Sequence, residues 1–441
     1  MSMYTCGPTV YDFAHIGNFR AYICSDILKR YLKYKGYEVT HVMNITDVDD
    51  KTIKGANKEG ISLKEYTKRY EKAFFEDITI LNIDKADVFP RATEHIKEMV
   101  DIIKELLHNK IAYKSEEGSV YYDISKFKNY GKLSHAKIKA LKEGARVKQD
   151  SYKKVEANDF ALWKAHDKED GNVVWKTEIG DGRPGWHIEC SAMSMKYLGK
   201  HFDIHAGGVD LIFPHHENEI AQSESFSGKK FVNYWLHNEH LLIDGKKMSK
   251  SLGNFYTLRD LLNKGYNPKA IRYILLSAHY GQQLNFTEEA VKASDNAVRR
   301  LHDFMIKLRE IRGDVENKEI EKRITKTKKQ FESAMDDDLN ISVALSHIFG
   351  LVKGINKLII ENRIGKNDAK KIINLMVKFD KILGVLEEKE ELSLELKKLI
   401  EEREKARKEK DYAKADKIRK ELKSKGIILE DTKDGVRWKR I

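Results

Sequence analysis

The chain has 441 residues, of which 41% are hydrophobic, so we expect a globular protein of two to four domains. Its 81 Lys and Arg against 69 Asp and Glu give a net charge of +12, which favours a polyanionic partner such as nucleic acid. The three scattered cysteines exclude a disulfide framework. With no unbroken run near eighteen apolar residues and no apolar leader, we expect a cytoplasmic protein with no membrane partner.

The first fifty residues predict a strand, a helix and a second strand. A short apolar segment ends at Cys6, and YEVTHVMNIT is typical of a strand. Between them an amphipathic helix is predicted over 19–35, because its apolar residues recur with helical spacing and Gly36 follows as a stop. Such units nearly always have parallel strands, and ligands bind at the carboxyl ends of those strands. Cys6 and Thr46 are therefore candidate site residues.

The rest of the chain extends this α/β pattern. Residues 62–112 are predicted to be helical, and 113–185 mix short strands with polar loops, as an insertion does. Strands return in HFDIHAGG and in VNYWLHNEHLLIDG, on either side of a helix near HHENEIAQ, so the parallel sheet is split in sequence. From about 258 onward the spacing of Lys, Glu, Ile and Leu predicts helices almost to the end.

Two short stretches carry candidate chemistry. CGPTVYDFAHIGN (6–18) contains a glycine-rich turn between strand and helix, where backbone N–H groups and the helix N-terminus favour phosphate. DGKKMSKSLGN (244–254) places three lysines and two serines where a strand ends, and lysines in such a loop can bind phosphate. Alone, the first stretch is more typical of a structural turn than of a phosphate site, and the second is as typical of a solvated loop as of a phosphate site.

Together these stretches resemble the two signatures of class I aminoacyl-tRNA synthetases, HIGH and KMSKS. They are found here as His15-Ile16-Gly17-Asn18 and Lys247-Met248-Ser249-Lys250-Ser251. Longer stretches, CGPTVYD, NITDVDDK, GWHIECSAM, HFDIHAGGVDLIFPHHENEIAQS and AMDDDLN, resemble the cysteinyl-tRNA synthetase family along essentially the whole chain. One departure is Asn18, where HIGH has its second histidine. The resemblance implies an α/β fold: a Rossmann-like parallel-sheet catalytic domain split by an insertion, then a helical domain and a small mixed α/β tail.

The resemblance also implies an activity and a division of the chain. The activity is an ATP-dependent, AMP-forming ligase that makes cysteinyl-adenylate and pyrophosphate from cysteine and ATP, then transfers cysteine to the 3′-terminal adenosine of tRNA(Cys). We expect a monomer that uses Mg²⁺ with ATP. The predicted segments are the first half of the catalytic domain (1–112), a connective insertion (113–185), the second half of the catalytic domain with the KMSKS loop (186–257), a stem-contact helical region (258–312), a helical tRNA-binding domain (313–400) and a basic anticodon-binding region (401–441).

The family's functional residues carry over to the matching positions. Activation occurs at phosphorus and is catalysed mainly by positioning and charge stabilisation. The implied catalytic residues are His15, Asn18, Lys247 and Lys250. The implied ATP-binding residues are His15, Gly17, Asn18, His205, Gly207, Gly208, Asp210, Lys247, Met248, Ser249, Lys250 and Ser251. Thr46 and Trp186 are implied to flank the substrate cysteine.

A metal would address the hardest part of the implied task, the rejection of serine. Apolar contacts discriminate such near-isosteres only about 10- to 200-fold, whereas Zn²⁺ favours thiolate sulfur. The resemblance implies one Zn²⁺ held by Cys6, Cys190, His215 and Glu219, of which the last two are four residues apart and fall on one helical face. The residues alone leave a structural alternative open, because there is no C-x-x-C pair and an isolated cysteine is most often an apolar core residue.

The C-terminal stretch favours RNA. Residues 401–441 contain 15 Lys and Arg against 10 Asp and Glu, a net charge of +5. EKARKEKDYAKADKIRKEL predicts a basic helix, and GIILEDTKDGVRWKRI predicts a hairpin turned at Asp434-Gly435. Arg437, Trp438 and Arg440 supply groups that stack on bases and bind phosphate. The family binds the tRNA anticodon region here, while a solvated charged helix remains the structural alternative.

Three rival functions stay open at this point. A cysteine:amino-sugar ligase of the mycothiol pathway shares the catalytic motifs but does not need the long helical region and basic tail. A non-catalytic tRNA-binding paralogue would be favoured only if the zinc and lysine motifs were broken, and they are intact. A nucleotidyltransferase of the same fold has no use for four metal-ligand candidates.

Overall fold

The computed structural model describes residues 1–135, 159–249, 252–386, 394–432 and 435–440. The chain divides into two compact units, Met1–Leu386 and Glu387–Ile441, which are described separately below. Lys250, Ser251 and Asp434 lie outside the described residues. The predicted six-segment division stays a prediction.

A four-stranded parallel sheet forms the centre of the first unit, in the order β2-β1-β7-β8. Its strands are β1 (Ser2–Thr5), β2 (Thr40–Met43), β7 (Phe202–Gly208) and β8 (Val232–Asn238). Thr5 pairs with Met43 on one side and with Ala206 on the other, so the carboxyl ends of three strands lie together. The split parallel sheet and the α/β fold class are therefore confirmed.

Helix α1 (Ile16–Tyr34) begins three residues before the predicted start at 19. The cause is a capping box, in which the His15 side chain accepts from the Asn18 backbone N–H and the Asn18 side chain accepts from the His15 backbone N–H. Gly17 and Asn18 therefore lie in the first helical turn rather than in the loop before it. Asn18, which departs from the HIGH pattern, thus completes the N-terminal cap of α1.

The region predicted as helical over 62–112 is interrupted. Helices α2 (Asp50–Glu59), α3 (Leu63–Ile80) and α4 (Ile96–His108) occupy this part of the chain. Between α3 and α4 the chain is extended at Val88, which forms a parallel bridge to Val42 of β2. The continuous-helix prediction was wrong here because the segment covers the edge of the central sheet.

The insertion forms its own antiparallel sheet, as its short strands predicted. Strands β3 (Ala112–Lys114), β4 (Val120–Tyr122), β5 (Phe160–Ala165) and β6 (Gly182–Pro184) pair in sequence order. Helix α5 (Trp186–Leu198) then leads back to the central sheet, and α6 (Glu217–Ser227) lies between β7 and β8.

VNYWLHNEHLLIDG is two strands rather than the predicted one. Strand β8 ends at Asn238, and Glu239 and His240 belong to no strand. The next strand, β9 (Leu241–Ile243), joins a separate small sheet. Its neighbours are the antiparallel β10 (Lys246–Lys247) and the parallel β11 (Leu284–Phe286). Strand β11 also falls in a region predicted to be wholly helical. Sequence periodicity does not reveal β9 or β11, because each of these strands is only three residues long.

Helices complete the first unit. They are α7 (Leu258–Asn263), α8 (Pro268–Ser277), α9 (Glu288–Glu310), α10 (Lys318–Asp336), α11 (Ile341–Ile360) and α12 (Lys366–Leu383). Buried Arg272 of α8 donates to Asp26 of α1 at 2.6 Å and to the Leu383 carbonyl at 2.6 Å, so α1, α8 and the end of α12 are fixed together.

Helix α11 is the one described helix that is long and apolar enough to cross a membrane by length and composition. Lys353 and Lys357 are its only charged residues, although serines, a histidine and an asparagine also interrupt its apolar residues and no unbroken apolar run reaches eighteen. A core helix of a soluble protein passes the same test, and Leu345, Ile348 and Ile355 of α11 are buried in the core of this unit.

The second unit is small and mixed, as expected for the tail. It contains α13 (Leu394–Lys408), α14 (Tyr412–Ser424), β12 (Ile427–Thr432) and β13 (Gly435–Arg440). The two strands form an antiparallel hairpin in which Thr432 pairs with Gly435. Gly435 therefore belongs to the strand, not to the turn predicted for it. Leu396, Ile418 and Leu422 form the core of this unit with residues of β12.

Candidate active site

The four predicted metal ligands meet at the carboxyl edge of the central sheet. Cys6 directly follows β1, Cys190 lies in α5, and a wide helical turn (Ile212–His216) places His215 just before α6, which carries Glu219. One ligand atom from each of the four lies within 4.8 Å of the others. Cys6 thus forms one cluster with side chains that lie 184 to 213 residues further along the chain.

The distances within the cluster lie close to those of a tetrahedral metal site, at slightly longer or shorter values. Cys6 Sγ lies 4.0 Å from Cys190 Sγ and 3.9 Å from Glu219 Oε1, and His215 Nε2 lies 3.1 Å from Glu219 Oε1. Ligand atoms around one tetrahedral zinc are separated by roughly 3.3 to 3.8 Å, given zinc bond lengths of about 2.0 to 2.3 Å. Two sulfurs, an imidazole nitrogen and a carboxylate oxygen are also a donor set that zinc accepts.

The cluster is buried, which makes its own charges costly. Exposure is 2% for Cys190, 1% for His215 and 0% for Glu219. Burial raises the pKa of the Cys6 and Cys190 thiols and raises the pKa of Glu219 to about 8, while burial lowers the pKa of His215 to about 3. A divalent cation bound here would lower the pKa of both thiols and of Glu219, because metal ligation stabilises thiolate and carboxylate.

A ring of aromatic residues surrounds the cluster, and the sequence analysis missed most of it. His187 Nδ1 lies 2.9 Å from His215 Nδ1, and His216 Nδ1 lies 2.7 Å from His237 Nε2. His216 also approaches Cys6 Sγ at 3.4 Å and belongs to a second possible ligand group with Cys6, His205 and Glu219. The available signal was that His187 and His216 stand within the quoted motifs and that His237 follows a strand pattern in LHN.

The two predicted cysteine-flanking residues lie at the cluster. The Trp186 ring stacks on His215, with ring centroids 4.3 Å apart and planes at 29°. Thr46 is buried and donates to Glu189 Oε2 at 2.9 Å. Trp186 lines the neighbouring cleft and is free to contact a ligand there, whereas the Thr46 hydroxyl is occupied by Glu189. Their contacts with substrate stay predictions.

A cleft of about 380 Å³ opens beside the cluster. Cys6 lies at one end of it, and most of the predicted ATP-binding residues line the remainder. These are His15, Gly17, Asn18, Gly207, Gly208, Asp210, Lys247 and Met248. The strand-to-helix turn from Cys6 to His15 therefore runs from the ligand cluster to the part of the cleft where ATP is predicted to bind.

Two glycines shape the cleft. A Cβ on Gly7 would lie 1.8 Å from the Asn44 carbonyl oxygen, so the turn after Cys6 packs against the end of β2 only with glycine. At Gly208 a Cβ would meet nothing within 4 Å, so this backbone borders open space. Gly208 therefore leaves room for a ligand close to the main chain.

Two predicted ATP-binding residues are not among those that line the cleft. His205 is fully buried, and its Nε2 lies 2.9 Å from Glu219 Oε2, so its imidazole supports the ligand cluster. Ser249 donates its backbone N–H to Asn254 Oδ1 at 2.8 Å. Contact of either residue with ATP stays a prediction, and Lys250 and Ser251 are outside the described residues.

The fold and the cleft define a class I aminoacyl-tRNA synthetase. The solved structure of Mycobacterium tuberculosis methionyl-tRNA synthetase in complex with methionyl-adenylate matches with a TM-score of 0.62 and covers 87% of this chain and 89% of that chain. At 14% sequence identity this likeness establishes the fold alone. The family model for the class I (C) catalytic domain matches residues 1–296.

Closer relatives identify the particular family. A DALR domain matches residues 330–387, and a cysteinyl-tRNA ligase anticodon binding domain matches 389–438. The cysteine–tRNA ligase of Brachyspira hyodysenteriae is 53% identical over 453 residues, covering 100% of this chain and 95% of the relative. That of Protochlamydia amoebophila is 50% identical over 446 residues, covering 100% and 93%. The chain belongs to the cysteinyl-tRNA synthetase family, and the three rival functions are not favoured.

Proposed function

We propose that this protein activates cysteine with ATP and transfers it to the 3′-terminal adenosine of tRNA(Cys), with one substrate at each end of the cleft. The observation that carries this division is the position of Cys6 and His15. They lie at the two ends of one strand-to-helix turn, Cys6 in a buried thiol-containing cluster and His15 at the N-terminus of α1. A helix N-terminus favours phosphate, and a buried thiol cluster favours a soft metal.

Cys6, Cys190, His215 and Glu219 would hold zinc at the amino-acid end. Zinc bound there would supply a Lewis acid that binds the thiolate of substrate cysteine and binds the serine hydroxyl poorly. The chain's own contribution is to orient the ligands. His187 contacts the ring nitrogen of His215 that faces away from Glu219, and Trp186 covers the face of the same ring.

The nucleotide end would bind ATP with Mg²⁺ and stabilise the charge that develops as pyrophosphate leaves. His15 and Asn18 begin α1, so the positive end of the helix dipole lies beside them. Lys247 lines the same cleft from β10 and is exposed. By the family resemblance Lys250 supplies a second cation. These groups act by position and charge and need no covalent enzyme intermediate.

RNA binding would involve the second unit, which matches the family's anticodon binding domain. Its α14 packs Ala415, Ile418 and Leu422 inward, and its remaining surface is rich in lysine. Removal of residues 387–441 is expected to leave cysteine activation intact, to weaken tRNA charging and to flatten its salt dependence, because phosphate-neutralising residues are lost. A monomeric state and a cytoplasmic location complete this proposal.

The experiment that tests the function is ATP–pyrophosphate exchange with cysteine and with serine, followed by charging of purified tRNA. We expect exchange with cysteine only, and transfer of labelled cysteine to tRNA(Cys). Exchange with cysteine but no transfer to tRNA would favour a ligase with another acceptor. No exchange together with tRNA binding would favour a non-catalytic tRNA-binding protein.

A further inference from the structure

The segment that follows the KMSKS loop lies against the N-terminus of α1. We call residues 254–259 the post-loop segment. The Ile16 backbone N–H donates to the Tyr256 carbonyl at 3.0 Å. The Phe255 ring meets the His15 ring edge-on, with ring centroids 5.2 Å apart and planes at 72°, and both residues line the ATP cleft. The post-loop segment therefore joins the two signature motifs.

The post-loop segment also holds the start of the KMSKS loop. Asn254 Oδ1 accepts from the Ser249 backbone N–H at 2.8 Å, and Asn254 Nδ2 donates to the Lys247 carbonyl at 3.2 Å. Met248 packs so closely on α1 that a Cβ on Gly17 would lie 3.1 Å from Met248 Cε. A displacement of the post-loop segment would therefore move Lys247 and Met248 with respect to α1.

A capping box makes the post-loop segment continuous with α7. The Thr257 side chain accepts from the Asp260 backbone N–H at 3.2 Å, and Asp260 Oδ2 accepts from the Thr257 backbone N–H at 2.9 Å. Thr257 also forms an antiparallel bridge with His15. Arg259 thus lies in the first turn of α7, where a cation opposes the helix dipole. Its stabilising contacts must lie outside α7.

Arg259 makes those contacts with the end of α3. One guanidinium nitrogen lies 2.6 Å from Glu76 Oε2 and 3.2 Å from Asp77 Oδ1, and it donates to the Ala73 carbonyl at 3.3 Å. The guanidinium also lies over the Phe13 ring, 5.1 Å from its centroid, and Phe13 lines the ATP cleft. One side chain therefore connects α7, α3 and the turn between β1 and α1.

Asp77 distinguishes this contact from an ordinary surface ion pair. Its side chain is 1% exposed, and burial raises its pKa to about 6. Within the described ranges of the chain, Arg259 is the only cation within 4.0 Å of Asp77, and neither Asp77 oxygen has a hydrogen bond. Loss of Arg259 would leave a buried carboxylate without a cation, which is more costly than loss of an exposed pair. The pair therefore fixes Arg259 on α3.

We propose that Arg259 is a positioning residue for adenylate formation, because its pair with Asp77 holds the post-loop segment against His15 and thereby keeps Lys247 in place in the cleft. This inference rests on the proposed function, which supplies the reaction. Arg259 does not itself line the cleft. It acts through the residues that it holds.

Arg259→Gln in the full chain tests this role. In ATP–pyrophosphate exchange kcat should fall about 10- to 100-fold, because a small displacement of positioned groups slows a reaction that depends on geometry. The KM for cysteine and the zinc content should be unchanged, since Arg259 contacts no residue of the ligand cluster. Asp77→Asn should lower kcat in the same way. The double variant should be no slower than the slower single variant, because both substitutions break one pair.

Limited proteolysis with trypsin gives a second measurement that does not depend on catalysis. Cleavage after Lys247 should be about 10-fold faster in Arg259→Gln, because proteolysis follows the population of the locally opened form. Cleavage after Lys97, an exposed lysine within α4, reports unfolding of the first unit and should be unchanged. Equal acceleration at both lysines would show that Arg259 only stabilises the fold, and would overturn the proposal.

Arg69→Gln is the matched control. Arg69 also belongs to an ion pair of α3, with Glu59 at 2.6 Å, and also lies over the ring of a cleft residue, Tyr70. None of its described contacts reaches the post-loop segment. Arg69→Gln should therefore change neither kcat nor the cleavage after Lys247.

Two further results would overturn the proposal. One is an unchanged kcat in Arg259→Gln, and the other is an equal loss of kcat in Arg259→Gln and Arg69→Gln. Absence of cysteine-dependent exchange in the unaltered protein would instead contradict the proposed function. The tryptic cleavage rates would then decide by themselves whether Arg259 holds the post-loop segment, since unchanged cleavage after Lys247 would contradict that role.

Discussion

The two ends of the catalytic cleft are built differently. At the amino-acid end, Cys190, His215 and Glu219 are buried, and a ring of aromatic side chains packs around them. At the nucleotide end, the Asp210 side chain is 63% exposed, and Lys247 lies on a two-residue strand at the surface. The first end is a preformed interior, and the second is an open surface.

This difference fits the ligand that we propose for each end. A thiol differs from a hydroxyl by one atom, so its recognition requires fixed ligands in a site that excludes water. A triphosphate carries several charges, so helix N-terminal N–H groups and lysines bind it without burial. We therefore expect substitutions at the buried end to alter selectivity, and substitutions at the open end to alter rate.

Lys250→Ala tests the open end and carries the largest expected effect. Loss of one preorganised contact to developing charge typically lowers the rate by about 10²- to 10³-fold. We expect that loss in adenylate formation, measured by pyrophosphate exchange, with little change in cysteine affinity. Lys246→Ala is the matched control, since Lys246 is exposed on β10 and does not line the cleft. An unchanged exchange rate for Lys250→Ala would show that the KMSKS loop only connects two elements and does not take part in the reaction.

Cys6→Ser tests the buried end. A serine hydroxyl stays protonated near neutral pH and is a poor zinc ligand, so zinc affinity should fall by about 100-fold or more, and with it the preference for cysteine over serine. ATP affinity should be unchanged. His15→Ala should show the reverse, with zinc and cysteine binding kept and adenylation slowed. Its capping role adds a loss of about 1 kcal/mol in stability, which His15→Asn, a good N-cap, should restore.

His187→Gln sharpens the comparison within the buried end. The His187 ring contacts His215 Nδ1, and partners that orient a metal ligand typically contribute about 10- to 100-fold to metal affinity. We expect zinc affinity, measured by competition with a chelator, to fall within that range while pyrophosphate exchange at saturating zinc persists. Loss of exchange at saturating zinc with unaltered zinc affinity would instead place His187 in contact with substrate.

Most of the fold and much of the site were predictable from sequence. Motif resemblance located Cys6, Cys190, His215 and Glu219, and the structure brings them together. The surrounding histidines were missed, because contacts such as that of His216 with His237 join segments whose proximity depends on the register of β7 and β8.

His41 shows the effect of burial on a histidine pKa in a place that the ligand cluster does not reach. This histidine of β2 is buried outside the cluster, and burial lowers its pKa to about 3. Below pH 6.5 the unfolded chain binds a proton that the folded chain excludes, so stability falls as pH drops toward 3. Between pH 7 and 5 the free energy of unfolding of His41→Gln should decline by about 2 kcal/mol less than that of the unaltered protein in urea titrations. Identical pH dependence would contradict burial as the cause.

Metal-loaded and chelator-stripped protein can be compared to test whether a buried metal cluster selects cysteine while a separate open end binds ATP. Zinc content, cysteine affinity and ATP affinity are measured on each preparation. We expect one zinc per chain in the loaded protein. Stripping should abolish cysteine binding, leave ATP binding unchanged and be reversed by added zinc. Full cysteine binding and full discrimination against serine in the stripped protein would show that no metal at this cluster selects cysteine.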